Sequence, residues 1–215
     1  HGVTSVVMGN CGFTLAPCKQ EDADMVFRNL ERAEDLSRDA MLEGIDWRWE
    51  TFPEFLDVID ELPKGINYAG YIGHSALRTY VMGERAFSDA ASEDDVRNMQ
   101  GLVKQAVQAG AIGFSTSRTF NHLTADDRPV ASRIAEWDEV RAIVNAVGET
   151  GKGLFDIAGE APGRDPERIA EDHGRLRDLA VESGVPRTWG MFSVRAAPDL
   201  WRPYFDLLDE TAAAG

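Results

Sequence analysis

The chain has 215 residues, with 22 Lys plus Arg against 37 Asp plus Glu and a formal charge of -15. Its 43% hydrophobic content supports a sizeable core, and 27% charged residues is ordinary for a globular domain. A pI near 4.6 argues against nucleic acid or a membrane surface as partner. Only two cysteines exclude a disulfide scaffold and point to a reducing, cytoplasmic setting, and no apolar run nears the roughly 18–20 residues that span a bilayer.

The chain opens at His1 and enters an apolar strand, Val3 to Met8, whose near-continuous β-branched run predicts burial on both faces. Gly9-Asn10-Cys11-Gly12 reads as a tight turn. Asp24 to Arg38 has helical period, Asp46 to Trp49 interrupts it, and a further helix runs from Phe52 to Leu62, closed by Pro63. Trp47 and Trp49 read as core.

A second strand spans Ile66 to Ile72 and ends in Gly73-His74-Ser75. Ser92 is an N-cap with Glu93, Asp94 and Asp95 behind it, and Gly110 stops the helix. Ala111 to Ser115 is a third strand, followed by a polar loop carrying His122. A helix from Glu136 to Thr150 precedes a fourth strand, Gly153 to Ala158. Asp165-Pro166 caps the next helix, which runs to Gly184. Arg187 to Val194 is a fifth strand, and Asp199 opens the last helix.

Strand and helix in alternation mean parallel βαβ units: either an open doubly wound sheet or part of a (β/α)₈ barrel, which usually takes about 250 residues. In both, chemistry gathers at the C-terminal strand ends. Those ends carry Asn10 and Cys11, His74 and Ser75, Ser115 to Arg118, Asp156 and Glu160, then Ser193 and Arg195. Cys11 can serve as a metal ligand or nucleophile, or be an inert small residue. Asp156 inside an apolar strand must be paired or metal-bound. Ser115 to Arg118 lacks the nucleophile-elbow pattern and fits turn chemistry equally well. Glu160 and Arg164 read as a rim loop, and His122 and His173 as solvated.

Gly2 to Pro17 (GVTSVVMGNCGFTLAP) resembles the GVTTVV-x-GNCGF-x-x-AP run of the N-acyl-D-amino-acid deacylase (D-aminoacylase) branch of the amidohydrolase superfamily. Gly73 to Arg78 with Val81-Met82-Gly83 is similar to that family's GH-x-x-LR…VMG segment, and Ala109 to Thr116 to its AGALG-x-ST strand. The resemblance covers about the first 120 residues.

It implies a distorted TIM barrel hydrolysing an amide with zinc or another divalent metal at its rim. Cys11 takes the metal-cysteine position. Asp156 falls where a metal histidine belongs, and no histidine occurs from Arg187 to Arg195. The family's catalytic aspartate lies on its eighth strand, beyond Gly215. The expectation is therefore residues 1–215 as one incomplete barrel, about strands two to six of a longer chain, inactive alone. The remainder of the barrel or another copy would complete it. The substrate would be a small amide such as an N-acyl amino acid, with His74, Ser117 and Arg118 binding it. Two rivals stand beside this reading: a metal-free hydrolase built on Cys11 and His74, and a barrel-derived binding protein without catalytic metal.

Overall fold

The computed structural model describes residues 1–160, 165–190, 195, 198–199 and 201–214. Five strands, β1 (Ser5–Met8), β2 (Asn67–Gly73), β3 (Gly113–Ser117), β4 (Leu154–Ala158) and β5 (Arg187–Trp189), pair in parallel and in chain order. Eight α-helices accompany them among the described residues. They are α1 (Ala23–Leu30), α2 (Arg38–Gly44), α3 (Phe52–Glu61), α4 (His74–Met82), α5 (Glu93–Ala109), α6 (Trp137–Gly148), α7 (Pro166–Ser183) and α8 (Arg202–Ala214). The result is the α/β architecture expected, a curled half of a TIM-type barrel. No described helix is long and apolar enough to cross a membrane.

The helix ends follow the sequence signals. Ser92 and Asp95 close a capping box on α5, Asp165 accepts from the backbone of Glu167 and Arg168 with Pro166 at the first position of α7, and Gly184 ends α7 at φ 64°. The main core lies between the sheet and its helices. Ile72, Phe114, Phe155 and Ile157 pack there against Met99 and Val103 of α5, Ile143 and Val147 of α6, and Leu176 of α7. Trp49 belongs to this core and stacks on Trp47, as expected.

Four expectations change, the first being the helical stretch from Asp24 to Arg38: α1 stops at Leu30 and α2 starts only at Arg38, where the Ser37 side chain accepts the Ala40 N–H. β1 is not buried on both faces: Val6 and Val7, and Val3 just before it, are exposed, because among the described strands β1 has only β2 beside it. β3 begins two residues later than expected, since the Ala111 N–H still bonds the Ala106 carbonyl at the end of α5. Helix α4 follows β2 with no intervening loop, and its N-cap, Gly73, offers no capping side chain. A Cβ at Gly73 would lie 2.7 Å from the Gly12 carbonyl oxygen, so glycine alone permits this approach. The predicted continuation of β5 through residues 191–194, with Ser193, and the rim residue Arg164 lie outside the described residues. Arg195 is an exposed turn residue.

Candidate active site

Alternation along parallel strands assigns the rim side chains to two faces. Ile72, Phe114, Thr116, Phe155 and Ile157 face the helices, which places Tyr71, Ser115, Ser117, Asp156 and Thr188 on the opposite, concave face. On that face the register aligns Ser115, Asp156 and Thr188 in one row.

The row holds down the turn after β1. Asp156 Oδ2 accepts the Cys11 N–H at 3.0 Å, and its Oδ1 accepts the Thr188 hydroxyl at 2.9 Å. Ser115 Oγ accepts the Gly12 N–H at 3.0 Å and donates to the Gly9 carbonyl. Gly9, Cys11 and Gly12 all have positive φ, and Cys11, at 60°, is held there without a glycine's freedom. Asp156, the odd acid in an apolar strand, is thus paired. The Cys11 thiol is pushed up to about 11, first by burial and then by the charges of Asp156 and Glu34.

His74 lies on the other face. It is fully buried, with Nδ1 2.8 Å from Thr116 Oγ1 and Nε2 2.9 Å from Glu139 Oε1. Arg78, one helical turn on and equally buried, pairs with the second Glu139 oxygen and donates to the Asp89 carbonyl at 2.8 Å. Burial keeps the imidazole below the ordinary histidine range, with Glu139 opposing and Arg78 and Arg118 reinforcing. Burial also works against Glu139 ionising, but His74 and Arg78 outweigh it and hold its carboxyl below the usual range. A neutral ring bonded to a carboxylate carries its proton on Nε2, so Nδ1 accepts the Thr116 hydroxyl. Both ring nitrogens are engaged here, and the Cys11–His74 nucleophile pair is not formed.

Glu139 escaped the sequence reading, although it falls on the buried stripe of α6 with Ile143 and Ala146. Ser117 and His122 make a further pair, with Oγ 2.7 Å from Nδ1. Ser117 is fully buried; His122 is half-buried against Phe13, ring centroids 5.1 Å apart, rather than solvated. His173 is likewise buried, against Tyr204. Arg118 grips Glu160 at 3.1 Å through Nε and 3.0 Å through Nη2, and its Nη1 donates to the Ala135 carbonyl. Glu160 also meets Arg175 at 3.5 Å, so it is tied into a network.

The sequence and the fold are similar to those of known proteins. The chain is 36% identical over 116 residues to the D-aminoacylase of Alcaligenes xylosoxydans xylosoxydans, 54% of this chain and 21% of that enzyme. A solved D-aminoacylase structure bearing on the role of that enzyme's binuclear metal center matches with a TM-score of 0.69 at 25% identity, covering 99% of this chain and 40% of the other. In sequence and in fold the chain is similar to the D-aminoacylase branch of the amidohydrolases. An uncharacterized protein of Mycobacterium tuberculosis is 33% identical over 163 residues, 72% of this chain and 26% of its own. No family model matches. The chain spans about a quarter of the curated relatives it matches. The likeness to deacylases gives no support to a binding protein that has lost its ligands.

Tested against a D-aminoacylase metal centre, the described residues fall short. Zinc takes about four ligands, at least three of them from protein. Cys11 and Asp156 are neighbours, but both Asp156 oxygens are already hydrogen-bonded. Among the described residues no group of three or more His, Cys, Asp or Glu side chains could hold a metal ion. These residues alone do not fit a complete site.

Proposed function

We propose that the protein carrying this chain hydrolyses the amide bond of an N-acyl amino acid in the reducing cytoplasm, the two free thiols supporting that location. The observation that supports this reading most is the pinned Cys11 turn, set over the C-terminal ends of parallel strands in a chain similar to D-aminoacylase along its length. In this reading Asp156 is the anchor of the Cys11 turn, both of its carboxylate oxygens being taken by the Cys11 N–H and the Thr188 hydroxyl.

The remaining residues prepare the pocket. The Ser115–Asp156–Thr188 row fixes the floor, so the backbone around Cys11 is ordered before substrate arrives. His74 positions the Thr116 segment from behind. Ser117 contributes from its buried place at the end of β3 by holding His122, and Arg118 contributes to binding by fixing the Glu160 side of the rim. The guanidinium fork is already filled by Glu160, so a substrate carboxylate would have to displace that partner to use it.

The test is release of free amino acid from N-acetyl-D- and N-acetyl-L-amino acids by the full-length protein, with and without added zinc. Turnover of the D series is expected. No release from any member of the panel under either condition would refute the proposal.

A further inference from the structure

The Ser117–His122 pair is unclaimed by the anchoring just described, and its geometry leaves one polar atom over. Ser117, at the C-terminal end of β3, is fully buried and has a single side-chain partner among the described residues, His122 Nδ1 at 2.7 Å. A serine hydroxyl has one proton, and a buried hydroxyl that does not donate wastes it at a cost. The bond therefore runs from the Ser117 hydroxyl to Nδ1, and the ring proton sits on Nε2.

The backbone that carries the ring is fixed from several sides. The His122 N–H bonds the Thr119 carbonyl at 3.3 Å; its own carbonyl accepts from Val130 at 3.4 Å and from Arg133 Nη1 at 3.2 Å. Phe13, from the turn after β1, lies against the ring. Burial, with the Arg133 charge adding, holds His122 below the ordinary histidine range and so neutral. The loops after β1 and β3 thus meet above the strand ends around an oriented imidazole. Its Nε2–H has no partner among the described residues.

We propose that His122 contacts the substrate, donating a hydrogen bond from Nε2 to an oxygen of the acyl amino acid, with Ser117 as its positioning residue. The shared chemistry is an oxygen acceptor, either the amide carbonyl or the substrate carboxylate. This rests on the deacylase reading and adds to it a substrate-binding residue that is neither a metal donor nor part of the pinned turn.

The experiment measures kcat and KM of the full-length protein on N-acetyl-D-leucine and on the matching N-acetyl amine that lacks the carboxylate. His122→Phe should lose about ten- to a hundredfold in kcat/KM, the scale of one hydrogen bond to a charged or charge-developing oxygen. His122→Gln, which keeps a donor, should regain part of that. Ser117→Ala should lose about tenfold and Ser117→Thr should restore it, whereas a purely structural serine would show its effect in folding alone. Loss on both substrates assigns the bond to the carbonyl; loss on the acid alone assigns it to the carboxylate.

NMR of the His122 ring during N-acetyl-D-leucine titration supplies a readout independent of turnover, and a shift of the Nε2 resonance is expected. Wild-type turnover with His122→Phe unchanged on both substrates overturns the assignment and spares the deacylase reading. A resonance shift without wild-type turnover overturns the deacylase reading and keeps the contact. Neither turnover nor shift overturns both.

Discussion

Glu139 is the side chain whose loss should cost this fold most visibly. Its side chain is 3% exposed and bridges two side chains that are wholly buried, His74 and Arg78. Replacing it by Gln keeps the volume and removes the charge. The Arg78 guanidinium then remains buried with the Asp89 and Ala86 carbonyls as its other acceptors and with Nε unpartnered. Removing one partner of a buried ion pair costs about 3–5 kcal/mol. For a chain of this size each kcal/mol lowers Tm by about 2–4 °C, so a fall of about 6–20 °C is expected. Thermal and urea unfolding followed by circular dichroism read this directly. The double variant Arg78→Met with Glu139→Met removes both charges and should recover most of the loss. A Glu139→Gln cost below about 1 kcal/mol, or a double variant as unstable as the sum of its singles, would refute the account of Glu139 as the counter-charge holding α4 to α6.

The same cluster sets an acid limit. Folding lowers both His74 and Glu139, so each contributes stability that is full above its unfolded value, about 6.5 for histidine and 4.3 for glutamate, and is lost as pH falls through its folded value. Urea midpoints should therefore decline on acidification below about pH 6.5; a flat profile down to pH 4 would contradict this. Asp156→Ala leaves the Cys11 N–H and the Thr188 hydroxyl without their acceptor, for a loss of about 1–3 kcal/mol and faster alkylation of Cys11 by iodoacetamide. An unchanged alkylation rate would show that the carboxylate does not hold the turn.

Much of the scaffold was legible because it is written locally. The capping box at Ser92, the Asp165-Pro166 start and the glycine stops at Gly110 and Gly184 each depend on residues within one turn of the chain. Helix α4 carries no such mark: its start is fixed by β2 running directly into it and by the close passage of Gly12. Burial was legible for Trp49, whose indole N–H finds the Leu15 carbonyl at 2.9 Å, and illegible for β1, where it depends on how many neighbours a strand has. For the polar residues the limit was sequence distance. His74 meets Glu139 across 65 positions and Arg118 meets Glu160 across 42, and no local pattern announces either partner. Asp156 was the exception, since a carboxylate in an apolar strand declares a missing partner even when it cannot name the Cys11 amide.

The sheet order repeats the chain order, and this has a kinetic consequence. Each strand docks only against the strand before and the strand after it, so the sheet can grow by accretion, one βα unit at a time, without threading or rearrangement. Protection from hydrogen exchange should then form a gradient. Amides of β2, β3 and β4, flanked on both sides, should exchange only in large openings, whereas β1, with one partner among the described strands, opens at lower free energy. The pinned turn crosses that gradient: it leaves β1 and is bolted to β3 and β4 by Ser115 and Asp156. Fraying of β1 is thereby resisted from the middle of the sheet, and the segment carrying Cys11 shares the lifetime of the interior strands rather than that of the strand it comes from.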